Sequence, residues 1–442
     1  MALSGLDIYK LLPKTNCREC GFATCLAFAM ALAKKTVNID KCPFLSAEAK
    51  KILEASSLPP IKLVSVGAGE NKLEIGSETV MFRHEEKFYH PSGLGFIIED
   101  SLRDLEIKQR LERINNLRFE RIGQFLNVDL VAIRQNKGVK RFVEAVKLVS
   151  DNTSLALVLM SDDLEGLRQA LEITKHRRPL IYRATKDNAA LIAGLASAYN
   201  VPLVVSGEDL ETISNLTQEL NKQGVNELVL DTGLKPIPEK IRDLTQIRRQ
   251  ALKKSNRSLG YPALVIVGRQ DPYTEAMEAA TYISKYAGIV LMEGIEAWQV
   301  LSLLTLRQNI YTDPQKPLQI EPKLYPVGQA NERSPVLVTT NFSLTYYTVL
   351  GEVEASKVPA HILTIDTEGM SVLTAWAAEK FTPDKITDFI NKSGIGSSVS
   401  HKRLIIPGYV AVMSGDLEEK SGWQVTVGPK EAAGIPAFLK NL

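Results

Sequence analysis

Four cysteines, Cys17, Cys20, Cys25 and Cys42, are the only thiols of the chain, and all fall in its first tenth. Their spacing is C-x2-C-x4-C-x16-C, with Pro43 directly after the last. Structural zinc usually takes two C-x2-C clamps, or one clamp with a pair of nearby histidines. Here one clamp is followed by a wider step and a distant cysteine. None of the five histidines (84, 90, 176, 361 and 401) lies within the motif. A cubane spreads its ligands more widely than a single tetrahedral ion, and a Cys-Pro ending occurs in bacterial cluster motifs. The surrounding 57 residues carry eight Lys/Arg against five Asp/Glu, a balance that suits an anionic four-thiolate centre. The expectation is a low-potential 4Fe–4S cluster on these four residues, with zinc or inert buried thiols as the alternatives.

The elements that must carry such a centre follow from the bulk of the chain. At 442 residues it is too long for one ordinary core. An apolar content of 45% and a charged content of 24% are those of a soluble globular protein. A net charge of +2 argues against nucleic-acid binding. No apolar run reaches the roughly 18 residues that a membrane span needs. The amino terminus lacks a basic start followed by an apolar stretch, so no signal peptide is expected and the chain reads as cytoplasmic. In a reducing compartment, clustered cysteines favour metal or catalysis over disulfides.

Residues 1–57 read as the cluster domain. They hold a helix in GFATCLAFAMALAKK and a second after Ser46, its N-cap. Residues 58–92 read as a linker with a hairpin made from IKLVSVG and ETVMFRHE. From 93 to 310, eight short apolar runs alternate with helix-length segments: 96–99, 130–133, 155–160, 180–183, 202–206, 227–231, 263–268 and 288–293. Parallel strands buried on both faces read as such continuous runs, and each crossover needs a helix. A (β/α)8 TIM barrel is the economical α/β solution, and an open doubly wound sheet is its competitor. A Pro-rich linker, 311–335, leads to a carboxyl-terminal α/β domain, 336–442. Its expected elements are VLVTTN, HILTID, a helix in VLTAWAAEKF, RLIIPG, VAVMSG and WQVTVGP.

Together, CRECGFATCLAFAMALA…CP, the eight-unit barrel pattern, TTNFSLTYY and DTEGMSVLTAWAAEKF resemble the large (gamma) subunit of the corrinoid iron–sulfur protein of the acetyl-CoA (Wood–Ljungdahl) pathway, over the whole chain. The resemblance implies a methyl carrier of methyltransferase type, a heterodimer with a small subunit that shares one corrinoid. The corrinoid Co(I) accepts a methyl from methyltetrahydrofolate through a separate methyltransferase. It passes that methyl to the nickel–iron cluster of acetyl-CoA synthase/CO dehydrogenase. The 4Fe–4S cluster, fed by ferredoxin or a reductive activator, returns Co(II) to Co(I). The rival readings are an electron-transfer subunit without corrinoid and a pterin-dependent methyltransferase working through the barrel.

A corrinoid is a flat, amide-fringed ring, so its site needs hydrogen-bonding loops and small residues that let the ring lie close. Four segments of the last domain offer these. They are Thr339, Thr340 and Asn341 with Tyr346; Gly369, Met370, Ser371, Val372, Leu373 and Thr374; Gly394, with Ile395, Gly396 and Ser398; and Gly428, Ala432 and Ala433. Each taken singly is also an ordinary turn. Many corrinoid proteins ligate cobalt through the histidine of a D-x-H-x-x-G motif, and neither His361 nor His401 fits it. With no axial imidazole, and with the corrinoid's nucleotide base taken to be off, a base-off cobalt lacking nitrogen coordination is the expectation. Polar residues near the barrel's strand ends (Asp162, Arg183, Ser206, Asp231, Arg269, Asp271, Glu293) lack a phosphate loop, metal triad or paired-acid signature. The barrel reads as a scaffold that docks partners.

Overall fold

The computed structural model describes residues 5–33, 36–46, 48–50, 53, 59–121, 124–268 and 271–442. It forms two compact units, Met1–Phe119 with Leu126–Tyr311, and Glu120–Phe125 with Thr312–Leu442.

The core of the first unit is a closed parallel barrel. After a small hairpin, β1 (Val64–Val66) and β2 (Leu73–Ile75), its first strand is β3 (Gly93–Glu99). A separate pair follows, β4 (Arg118–Arg121) and β5 (Gln124–Asn127). The barrel continues with β6 (Leu130–Arg134), β7 (Ala156–Met160), β8 (Leu180–Ala184), β9 (Leu203–Ser206), β10 (Leu228–Asp231), β11 (Ala263–Ile266) and β12 (Ala287–Met292), which pairs back onto β3. All eight apolar runs are barrel strands, and the open sheet is excluded. They are apolar on both faces because both are covered. Ile97, Ala132, Val158 and Leu180 lie in register and point inward. Phe96, Val131, Leu157 and Ile181 alternate with them and meet the helices. Aspartates start several of those helices. Asp163 accepts from the amides of Glu165 and Gly166, and Asp209 from that of Thr212.

The β1–β2 hairpin closes the amino end of the barrel. Val64, Val66 and Ile75 join the inward-facing side chains in one core. A Cβ on Gly93, at the start of β3, would strike Leu73 Cδ2 of the hairpin. The hairpin's second strand is thus Leu73–Ile75, not ETVMFRHE as expected. That segment is irregular because Glu78 is buried within it. The Glu78 carboxylate accepts from the amides of Tyr89 and His90 and pairs with Arg248 at 3.1 Å, replacing a strand ladder with side-chain bonds.

The second unit is a five-stranded sheet in the order β13 (Leu324–Val327), β15 (Ala360–Ile365), β14 (Val336–Thr340), β16 (Arg403–Ile406), β17 (Gln424–Val427). β13 is antiparallel and the other four are parallel. β13 lies inside the stretch read as a linker. VAVMSG, expected to continue the alternation of strands, instead forms a 3-10 turn over Gly408–Met413. Helices cover both faces. Ser343–Ser356 and Ile435–Lys440 pack on one side, Pro383–Ser393 and Ser414–Ser421 on the other. β14 is followed in sequence by β15 on one side, whereas β16 lies on its other side. The switch point of this doubly wound sheet therefore falls between β14 and β16, where such sheets open a crevice beyond the strands' carboxyl ends. Among the described residues no helix is long and apolar enough to cross a membrane.

Candidate functional site

The cysteines are held by a short helical pair. Helix Gly5–Leu11 packs on helix Cys25–Ala33 through Ile8, Leu12, Phe28, Ala29 and Leu53. Between the helices the chain turns with Lys14, Asn16 and Arg18 all at left-handed φ (59°, 48° and 66°) and Gly21 at 83°. Three non-glycine residues in that region within five positions is backbone strain that persists only where the surroundings dictate it, as at ligand clamps. Asn16 Oδ1 accepts from the Cys25 amide at 2.8 Å, tying this loop to the second helix. Thr24 caps that helix through the Ala27 amide. Cys42 follows a 3-10 turn at Ile39–Lys41 that is capped by Asn38. Ser46 accepts from the Ala49 amide, as an N-cap should. The helix expected after it runs partly through residues 47, 51, 52 and 54–57, which lie outside the described residues.

The result is a graded set of thiols: Cys17 exposed, Cys20 and Cys42 half-buried, Cys25 buried, none in a disulfide. Burial pushes the Cys42 thiol up, and the neighbouring Cys20, Cys17 and Cys25 thiols push it further, against a hydrogen bond with the Phe44 backbone. The other three thiols thus lie in the neighbourhood of Cys42. Among the described residues no group of three or more His, Cys, Asp or Glu side chains is drawn in tightly enough for a single metal ion. Four free thiols carried on one small, partly buried unit are a donor set that fits an iron–sulfur cluster.

In the second unit, a cavity of about 350 Å³ opens at the carboxyl ends of β14, β16 and β17, beside the switch point. Of the expected ligand residues, Thr339, Ser371, Val372, Gly428 and Ala432 line it. The others do not. Thr340 points to the opposite face of the sheet and is wholly buried, its Oγ1 without a hydrogen-bond partner among the described residues. Tyr346 is buried in the core against Tyr325 and Tyr347, and burial with those neighbours raises its hydroxyl to about 12. Asn341 Oδ1 accepts from the Thr367 amide and hydroxyl and from the Gly369 amide. Its Nδ2 reaches Gln319 and Asp366, so the side chain pins the 366–370 loop. Gly369, at φ 74°, and Met370 belong to that loop, and the Met370 carbonyl accepts from Thr367. Thr374 pairs with Ser371 at 3.0 Å, and Leu373 is exposed. Gly394 ends helix Pro383–Ser393 in the left-handed conformation that glycine favours, with Ile395, Gly396 and Ser398 in the turn after it. Ala433 follows Ala432 in a 3-10 turn without lining the cavity.

Sequence reasoning missed the apolar wall from helix Ser343–Ser356 (Leu344, Thr345, Thr348, Val349), although its i, i+4 spacing is readable. It also missed Tyr409 and Lys430, the latter the cavity's charged group. Gly408 carries a further signal. A Cβ there would lie 2.6 Å from the Gly428 carbonyl and 2.8 Å from the Lys430 amide. The loops after β16 and β17 are in backbone contact at this point, with the Gly408 amide donating to Pro429 and the Gly428 amide to Ile406. The cavity is too small to enclose a corrin ring. Exposed Leu344 and Tyr409 stand in its lining, apolar contacts for part of a macrocycle while a smaller arm enters the cavity. These residues fit a corrinoid.

Both histidines of this unit are at the sheet's other edge. His361 pairs with Val336 at the start of β14, and its Nε2 meets the Asn331 carbonyl at 3.1 Å. His401 precedes β16 and meets the Ser334 carbonyl at 3.0 Å. The strands separate them from the cavity by about 3.3 Å per residue.

Of the polar residues expected near the barrel's strand ends, Asp162, Arg183 and Asp231 line its mouth, Ser206 bonds Asp231, and Glu293 pairs with Arg134. Asp271 instead caps helix Pro272–Ser284 through the Tyr273 and Thr274 amides, and Thr274 holds its carboxyl below the usual range. Arg269 lies outside the described residues.

The family model described as "CO dehydrogenase/acetyl-CoA synthase delta subunit" matches residues 63–439, and one described as "Putative Fe-S cluster" matches residues 12–44. The corrinoid/iron-sulfur protein large subunit of Moorella thermoacetica is 45% identical over 441 residues, covering 100% of this chain and 99% of the relative. The acetyl-CoA decarbonylase/synthase complex subunit gamma of Methanothermobacter thermautotrophicus is 39% identical, covering 100% and 99%. Among solved structures, dihydropteroate synthase of Thermus thermophilus aligns with 50% of this chain and 95% of its own, at 15% identity and a TM-score of 0.38.

Proposed function

The chain belongs to the family of corrinoid iron–sulfur subunits of the acetyl-CoA pathway, and on that premise we propose that it is a methyl carrier with its own reductive repair module. When bound, the corrinoid supplies a cobalt that takes a methyl group from methyltetrahydrofolate and gives it to acetyl-CoA synthase, and the 4Fe–4S cluster supplies the electron that restores oxidised cobalt. Cys17, Cys20, Cys25 and Cys42 hold the cluster, with Asn16 and Thr24 fixing the loop around it. In the carboxyl-terminal unit, Thr339 and Ser371 offer hydroxyls to the corrinoid's edge, and Gly428 and Ala432 let it approach the backbone. Lys430 supplies a positive charge to any phosphate that enters the cavity.

The observation that carries the reading is the placement of cavity and histidines at opposite edges of one sheet. Neither His361 nor His401 would reach a corrinoid seated at the carboxyl edge, so this unit would offer its cobalt no histidine nitrogen; with the corrinoid's own base also off, the cobalt would lack a nitrogen donor. Loss of that donor raises the potential of the cobalt couple and brings it within reach of a low-potential cluster. A small subunit shares the corrinoid, and the methyltransferase, acetyl-CoA synthase/CO dehydrogenase and a ferredoxin or reductive activator are the successive partners.

The test is anaerobic co-expression with a candidate small subunit, followed by metal counts, an EPR spectrum and a methyl-transfer assay with methyltetrahydrofolate and its methyltransferase. Iron at about four per chain, cobalt, and no nitrogen splitting on the cobalt signal are expected, together with methyl uptake that needs the methyltransferase. A visible spectrum without corrinoid bands would favour the electron-transfer reading. Methyltetrahydrofolate turnover by this chain alone would favour the pterin reading.

A further inference from the structure

The barrel's mouth carries a polar assembly that methyl carriage does not use. Extending the inward alternation by one position, β12, β3 and β6 lead to Glu293, Glu99 and Arg134, and Arg134 bridges both carboxylates at 3.6 and 3.7 Å. On the opposite arc, β8 carries Tyr182, and β9 and β10 end in Ser206 and Asp231. Met160 and Ile266 separate the two arcs as apolar walls.

Asp231 is fully engaged. Its Oδ2 accepts from Tyr182 Oη at 2.9 Å and Ser206 Oγ at 3.4 Å, and its Oδ1 from the Gly233 amide at 2.9 Å. Buried Lys240 lies 3.4 Å from the same Oδ1 and also reaches Thr232 Oγ1 and the Gly233 carbonyl. Burial pushes the Tyr182 hydroxyl up and the Lys240 ammonium down. This arc is therefore neutralised from within.

Arg183, the next residue on β8, is not. Its guanidinium lines a cavity of about 320 Å³ at the mouth, with Asn136 and Asp162. Its Nε is buried without a hydrogen-bond partner among the described residues, and its Nη1 reaches Tyr182 Oη at 3.3 Å. Arg183 lines the cavity with no carboxylate partner among the described residues, and a guanidinium matches the oxygens of a carboxylate or phosphate. The cavity is within the range of small-molecule sites, and it occupies the face where barrels bind their ligands.

We propose that the barrel mouth is a second ligand site, taking a small molecule whose single carboxylate or phosphate is received by Arg183 and whose apolar body lies between Met160 and Ile266. Asp162 on the rim disfavours polyanions. The inference stands apart from the corrinoid reading, since it involves neither the cysteines nor the carboxyl-terminal cavity.

The test uses the full-length, cofactor-loaded chain titrated with inorganic phosphate and, separately, with benzoate, each followed by ligand-observed NMR. The wild type, Arg183→Gln, Arg183→Lys and the exposed control Arg113→Gln are compared. Saturable binding of at least one probe is expected, weakened about tenfold or more in Arg183→Gln, partly retained in Arg183→Lys and unchanged in Arg113→Gln. Binding of phosphate alone or benzoate alone would identify which oxyanion the site selects. Circular dichroism and corrinoid content of the variants report whether they fold; if Arg183→Gln does not, Arg183→Lys carries the comparison. No saturable binding of either probe to the wild type, or equal binding by a folded Arg183 variant, overturns the proposal.

Discussion

Asn341 shows how a residue expected to touch a ligand can act one step behind it. Its Oδ1 gathers two amides and a hydroxyl from the 367–369 turn, and the residue is 1% exposed. Replacing it by alanine leaves the Thr367 and Gly369 amides without their acceptor, while the Thr367 hydroxyl keeps the Met370 carbonyl; each buried orphan costs roughly 1–3 kcal/mol before relaxation. Asn341→Ala should therefore destabilise the carboxyl-terminal unit by about 2–4 kcal/mol. In urea unfolding this appears as a lower midpoint at unchanged slope. Corrinoid content should fall too, because Ser371 and Val372 follow the loop that Asn341 holds. An unchanged midpoint would show that the bond network contributes little. The cysteines could be found from sequence because their type and spacing restrict the chemistry by themselves. The role of Asn341 could not, because its partners are 26 and 28 positions away and only the folded sheet brings them to it.

Elements were legible where burial is symmetric and obscure where a local residue overrides the pattern. The eight barrel runs are apolar on both faces, which few structures other than a covered parallel strand require. β13 was hidden by Pro326, which reads as linker but is tolerated on an edge strand such as this. VAVM reads as a strand, yet Pro407 and Gly408 precede it and the chain turns there instead. Gly408 is also where an element-scale prediction applies. A methyl group at this position meets the backbone of Gly428, Pro429 and Lys430 at 2.6–2.8 Å, atoms that cannot rotate aside. Gly408→Ala should part the loops after β16 and β17, cost about 1–3 kcal/mol and loosen the corrinoid. Cobalt retained through gel filtration reports the last effect. Retention equal to wild type would mean that these loops do not shape the site.

At the scale of the whole molecule, the sequence divides the work as the family membership requires. The thiols are confined to the first 42 residues, and the corrinoid-fitting cavity to residues 337–435. On the proposed reading, repair and transfer depend on different residues, and one should be separable from the other. The most direct measurement uses Cys20→Ser, loaded with corrinoid and assayed in two ways. Chemically pre-reduced protein should accept and deliver methyl groups at close to the wild-type rate. The same protein, once oxidised and supplied with a physiological electron donor, should fail to regain activity. Loss of methyl transfer from the pre-reduced form, or full reactivation without Cys20, would contradict the division of labour proposed here.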